Sequence, residues 1–168
     1  EAPGTEGLPE LPEGWCWATV DQLTFVQGGL TKGKKRKLTD QIAEVPYLRV
    51  ANVQRMYLDL CEVKTIEATQ DEIELLRLER GDVLFNEGGD RDKLGRGWVW
   101  AAQIENCIHQ NHVFRARPIP NTILPEYLSY YANTAGRDYF FEHASQSVNL
   151  ASINLTMLKG LPIALPSQ

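Results

Sequence analysis

Short β-forming runs follow one another along this chain, and several are joined by connections too brief to carry a crossover between parallel strands. Val26 to Gly29 ends at a Gly-Gly pair. Val45 to Val53 sets Leu48 and Val50 on one face and Tyr47, Arg49 and Ala51 on the other, and Tyr57 to Ile66 switches its apolar side near Leu60 and Cys61, as a bulge or an edge does. Gly81-Asp82-Val83-Leu84-Phe85-Asn86 is a turn into a buried strand that breaks at Gly88 and Gly89. Trp98 to Ala102 and Ile108 to Arg117 follow, the latter closed by Pro118 and Pro120. Parallel neighbours need roughly a dozen or more connecting residues, whereas antiparallel ones need a turn. The expected architecture is therefore α+β, with a twisted, mostly antiparallel or mixed β-sheet and flanking helices.

The helices interrupt this pattern sparingly. Thr69 and Glu72 form a Thr-x-x-Glu capping box, Ile73 and Leu76 share a face, and Arg77 and Arg80 suit a C-terminus before Gly81, which predicts a helix from Thr69 to Gly81. Pro125 suits the first turn of a second helix, running to about His143 with Gly136 weakening its middle. Shorter helical pieces are expected through Val20 and Leu23 and around Ser152 to Lys159, before a last extended segment at 161–166.

At 168 residues, with 43% apolar and 23% charged residues, the chain suits one folded domain. Residues 1–10 have too few apolar side chains to offset their ordering entropy and are expected to form a flexible arm, leaving 11–166 as the domain. No run approaches the roughly 18 apolar residues of a membrane span, and the acidic, proline-containing start is unlike a signal peptide, so a soluble, cytoplasmic protein is expected. Cys16, Cys61 and Cys107 are odd in number and widely spaced, as reduced thiols are.

The net charge of −5 conceals an asymmetry. Lys32, Lys34, Lys35, Arg36 and Lys37 hold five of the 17 basic residues, leaving 12 against 22 acidic residues elsewhere, a balance of −10. An acidic body carries one concentrated cationic loop. Were all five to touch phosphates, binding would weaken with salt at a log–log slope of roughly −4 to −5. A second polar loop, 90–97, alternates Arg91, Lys93 and Arg96 with glycines, and Asn86, Arg49 and Asn52 are residue types that can pair with base edges.

Enzyme chemistries find less support. The dinucleotide Gly-x-Gly-x-x-Gly, the Walker A loop, the Gly-x-Ser-x-Gly elbow and the Asn-Pro-Pro-Tyr motif of amino-methyltransferases are all absent. Glu62-Val63-Lys64 is half of a nuclease metal site that would need Asp40 or Asp59 as its second acid; an ion pair is the plainer reading. Cys107, His109 and His112 lie close in sequence, but on a strand His112 faces away from the other two, which argues against one shared metal.

In order and spacing, several segments together resemble a target recognition domain of a type I restriction-modification specificity subunit. They are Leu11-Pro12-Glu13-Gly14-Trp15 leading to Leu23, the Gly28-Gly29 break before a basic loop, Tyr47-Leu48-Arg49-Val50-Ala51-Asn52-Val53, Gly81-Asp82-Val83-Leu84-Phe85-Asn86, Asn111-His112-Val113-Phe114-Arg115, Tyr127-Leu128 and Pro162-Ile163-Ala164-Leu165-Pro166. The resemblance spans 11–166 and implies a non-catalytic, sequence-specific DNA-binding module without a cofactor. It would read one half of a bipartite site in double-stranded DNA, while modification (methyltransferase) and restriction subunits do the chemistry. Residues 167–168 stand where such a subunit would begin its spacer helix. Residue chemistry then suggests Lys32, Lys34, Lys35, Arg36 and Lys37 as DNA-backbone contacts and Asn86, Arg91, Lys93 and Arg96 as residues nearer the groove, with Arg115 and Arg117 as lesser candidates. The alternatives are a small metal-dependent nuclease using Glu62 and Lys64, and an interaction domain whose lysine loop binds an acidic protein.

Overall fold

A computed structural model describes residues 7–33, 41–89, 91–146 and 151–166. In chain order these form β1 (Cys16–Thr19), α1 (Val20–Leu23), β2 (Thr24–Gln27), β3 (Ile42–Leu48), β4 (Val53–Gln54), β5 (Tyr57–Leu58), β6 (Lys64–Thr69), α2 (Gln70–Leu76), β7 (Val83–Asn86) and β8 (Gly88–Gly89). After a 3-10 turn at Arg91–Lys93 come β9 (Ile108–His109), β10 (Val113–Pro118), α3 (Pro125–Asn133), α4 (Gly136–His143), β11 (Ser145–Gln146), β12 (Ala151–Ser152), α5 (Leu155–Gly160) and β13 (Pro162–Leu165).

The expected α+β class is the observed one, built from several small sheets. β10 lies between β2 and β7, antiparallel to both, while β3 lies between an antiparallel β6 and a parallel β9. β1 and β13 pair with Cys16 opposite Leu165, so the two ends of the described fold sit side by side. All four residues of β7 and the first four of β10 are buried, the polar Asn86 and Arg115 among them. The largest core cluster joins Val83, Phe85 and Phe114 to Leu128 and Phe140 of the helices and to Leu161 and Ile163 near the end of the chain. A second gathers Tyr47, Ile73, Leu76 and Ile108, and a third Leu48, Val53, Leu78 and Trp100.

The capping box on α2 forms as expected: the Glu72 amide donates to the Thr69 hydroxyl, and the Thr69 amide to the Glu72 carboxylate. The helix, however, stops at Leu76 and does not reach Gly81. Ile73 and Leu76 belong to one core cluster and Leu78 to another, so the chain must leave the helix between them, and the Leu78 amide bonds the Cys107 carbonyl instead. The carbonyls left without helical partners are met by arginines from β10. Arg115 donates to Leu75 and Arg77, and Arg117 to Arg77.

Other expected boundaries move for similar reasons. The strand expected over Val45 to Val53 starts earlier and ends at Leu48. The buried Asn52 amide accepts from the Arg49 N–H and donates to the Asp59 and Glu62 carbonyls, which turns the chain and also divides the expected strand at 57–66. Gly88 and Gly89 do not merely break a strand; they pair with Ser152 and Ala151. Trp98 to Ala102 is no regular strand, although Val99 bridges Val83 and the Leu84 amide donates to the Trp98 carbonyl. Ile108 to Arg117 is two strands separated by a turn, and the helix expected from Pro125 to His143 is two helices, broken at Thr134.

Candidate nucleic-acid interface

The second polar loop is held in place over 94–97. Leu94 is buried in the largest core cluster beside Phe140 of α4, while the Gly95 amide donates to the Asn86 carbonyl and the Asn86 amide to the Arg96 carbonyl. Gly95 has φ +60°, and a β-carbon there would collide with the Phe140 ring; one at Gly97 would collide with the Leu84 carbonyl. Both glycines are required by close approach to packed neighbours. The sequence 94–97 is thus a rigid ribbon between β7 and α4, with Lys93 and Arg96 half-buried on it.

The turn that carries Arg55, far away in sequence, meets this ribbon. Arg55 occupies the tight turn between β4 and β5, where Met56 has φ +66° and its amide donates to the Gly97 carbonyl. The Arg55 guanidinium donates to the Asp92 carbonyl at 2.6 Å, and to the backbone carbonyl and side-chain oxygen of Asn133 at 3.4 and 3.3 Å. Asn133 is itself buried and fixed, its amide donating to Gly97 and Ser129 carbonyls while its oxygen also accepts from the Gly97 amide. Desolvation pushes the Arg55 pKa down first, and the nearby positive charges of Arg137 and Arg96 push it further; Asp92 opposes them more weakly. Arg137, one residue into α4, lies over the Phe141 ring at 5.5 Å, and its Nε is buried without a hydrogen-bond partner among the described residues.

The remaining candidates divide sharply. Lys32 is exposed, with its ammonium 5.4 Å from the centre of the Tyr47 ring. Lys34, Lys35, Arg36, Lys37 and Asp40 lie outside the described residues, as do residues 1–6, most of the expected arm, and residues 167–168; the side chain of Arg91 is likewise not described. Asn86, expected nearer the groove, is instead fully buried: its amide donates to the Val53 and Val50 carbonyls at 2.7 and 3.3 Å, tying β7 to the turn before β4. Arg117 is engaged by Asp82 at 2.7 Å and Glu79 at 2.9 Å, which together with its carbonyl contact makes it structural, as Arg115 is. Arg49 pairs with Glu62, and Asn52 is consumed by the turn it builds.

The nuclease alternative receives no support from this geometry. Glu62 lies in a bend before β6, not on the same strand as Lys64, and ion-pairs with both Lys64 and Arg49. Cys107 and His109 are buried while His112 is exposed and bonded to Glu87; among the described residues no group of three or more His, Cys, Asp or Glu side chains is placed to hold a metal. Burial pushes the Cys107 thiol up to about 12, so it remains protonated and unreactive at neutral pH. No helix among the described residues is long and apolar enough to cross a membrane.

Sequence reading missed Arg55 and Arg137 because nothing local marks them. One is a lone cation in a two-residue turn and the other follows a glycine inside an expected helix. Only the contacts of Asn133 with both Arg55 and Gly97 tie the Arg55 turn to the loop.

Comparison with known proteins adds a family context. The family model described as the type I restriction modification DNA specificity domain matches residues 12–168. The chain is 31% identical over 162 residues to the MjaX type I restriction enzyme specificity subunit of Methanocaldococcus jannaschii, covering 95% of this chain and 37% of that protein. Similarity to the EcoKI specificity subunit of Escherichia coli K12 is 23% over 140 residues, covering 82% of this chain and 30% of that protein. The chain therefore spans about a third of these relatives. Among solved structures, the fold is shared with a chain from a study of complex assembly and conformational transition of the type I R-M system (TM-score 0.64, 17% identity, 96% of this chain and 36% of that one). It is also shared with the HsdS subunit of Thermoanaerobacter tengcongensis (TM-score 0.59, 14% identity, 97% and 40%).

Proposed function

The chain belongs to the family of type I restriction-modification DNA specificity domains, and from that membership we propose that it is a target recognition domain that reads one half of a bipartite site in duplex DNA. The observation that carries the reading is the family match over residues 12–168, together with a fold shared along nearly the whole chain. On this reading residues 11–166 form the recognition domain. It acts in the cytoplasm as a non-catalytic part of a larger specificity subunit, which directs methyltransferase and endonuclease subunits to the site.

Two cationic regions divide the work. Lys32, Lys34, Lys35, Arg36 and Lys37 supply sequence-independent attraction to phosphates, because clustered ammonium and guanidinium groups displace condensed counterions from the duplex. The 91–97 loop is the second region, with Arg91 and Lys93 as the candidates for contact with base edges. Asn86 drops out of this set, since its donors are spent on protein carbonyls. Neutralising the five cations at 32–37 is expected to weaken binding about equally for all duplexes and to flatten the salt dependence, as measured by anisotropy titrations across a salt series. Changing Arg91 is expected to alter the sequences enriched from a random duplex pool. Absence of any duplex binding at low salt overturns the assignment.

A further inference from the structure

We propose that Asn111 reads an adenine edge in the major groove of duplex DNA, from a turn that His112 and Glu87 hold between the roots of the two cationic loops. This rests on the DNA-recognition reading above and deepens it, by assigning a specificity-determining residue in place of the buried Asn86.

The first support is the register of the sheet. β2 ends at Gln27, opposite Arg115, and β7 ends at Asn86, opposite Val113, so both outer strands finish at the end of the sheet where the central β10 begins. Residues 28–32 leave β2 there and lead into the first cationic run; residues 87–93 leave β7 there and lead into the second. The turn between β9 and β10, closed by the Val113 amide on the Gln110 carbonyl, touches both exits. On one side the Asn111 backbone amide donates to the Leu30 carbonyl and the Leu30 amide to the His109 carbonyl, and a β-carbon at Gly29 would collide with the His109 and Gln110 carbonyls. On the other side the Glu87 amide donates to the His112 carbonyl, while the Glu87 carboxylate bonds His112 Nδ1. A duplex engaged by both loops therefore meets this turn between them.

The second support is the chemistry of the side chains on the turn, where His112 is exposed and Asn111 half-buried. With Nδ1–H donating to Glu87, His112 Nε2 is left to accept from the Asn111 side-chain N–H at 3.3 Å. The carboxylate fixes the ring, and the ring fixes the plane of the amide. That leaves the amide oxygen and a second N–H, an acceptor beside a donor, which complements the N6–H donor and N7 acceptor that adenine shows in the major groove. Among the described residues the Asn111 side chain makes no other hydrogen bond, whereas the donors of Asn86 are consumed by the Val50 and Val53 carbonyls. A turn anchored on both flanks also loses little conformational entropy when it binds.

The test selects duplexes from a random pool with the intact polypeptide and measures their affinity across a salt series. The unsubstituted protein is expected to enrich an adenine at one position that Asn111→Ala no longer selects, with affinity for that duplex reduced roughly 5- to 150-fold and the salt slope unchanged. Replacing that adenine by 7-deazaadenine, which lacks the N7 acceptor, should weaken binding by the unsubstituted protein and leave Asn111→Ala unaffected. His112→Ala should blur selection at the same position alone, an effect that a role confined to the fold would not produce. Asn111→Asp, nearly the same shape, serves if Asn111→Ala unfolds; it is expected to favour cytosine, whose N4 amino group donates to a carboxylate. Unchanged selection by the folded variants, or loss of selection at a base other than adenine, overturns the assignment while leaving the DNA reading in place. A shallower salt slope without altered selection overturns it in favour of a phosphate contact. Failure of the unsubstituted protein to bind any duplex overturns both.

Discussion

His109 is fully buried, and its Nδ1–H donates to the Val113 carbonyl at 2.6 Å, which assigns the neutral tautomer and leaves Nε2 as a bare acceptor among the described residues. Protonating Nε2 would create a charge and an unpartnered donor in the core, and desolvation lowers the pKa to about 4. The folded state thus resists a proton that the unfolded chain accepts near its ordinary pKa of about 6.5. Between those values the unfolded state binds more protons, so stability falls as pH drops from about 6.5 and levels off below about 4, for a total on the order of 3 kcal/mol from this residue. Urea denaturation across that window checks the fall, and the imidazole resonance of His109 should titrate near 4. Asn86 shows why residue chemistry alone misleads. An amide able to recognise adenine is equally able to satisfy two turn carbonyls, and burial decides between the roles.

At the scale of elements, the Thr69 to Glu72 capping box was legible because a cap is a local bargain between neighbours along the chain. The end of α2 was not, since it depends on Leu78 entering a different core cluster and on arginines from β10 meeting its last carbonyls. The 94–97 ribbon lies between these cases. Its glycines announced a loop, but their reason is contact with Phe140 and Leu84, invisible in sequence. Gly95→Ala is expected to destabilise the fold by about 1–3 kcal/mol, because it adds positive-φ strain to displacement of a buried ring. Denaturant melts measure that loss, and the same variant should bind duplex more weakly at a temperature where it remains folded. Ordinary stability with normal DNA binding would show that the ribbon needs no such fit.

For the whole molecule, small sheets replace one broad sheet, and their cohesion comes from the core that spans them. Leu161 and Ile163, near the end of the described chain, are fully buried and pack in the same cluster as Val20, Phe85 and Leu128. Leu161→Ala is expected to cost about 2–5 kcal/mol, measured by equilibrium unfolding, in a single transition that reports on the entire fold. A loss confined to the β1–β13 pair would contradict that cohesion. The sequence by itself determined the α+β class, the order of the strand runs, the first cap of α2 and the concentration of cations at 32–37, because propensity, periodicity and charge act between near neighbours. Only tertiary structure decided where those runs end, that Asn86, Arg115 and Arg117 serve the protein's own carbonyls and carboxylates, and that the Arg55 turn packs on Gly97 and Asn133. Those outcomes turn on burial and on partners dozens of residues away, which no local pattern encodes.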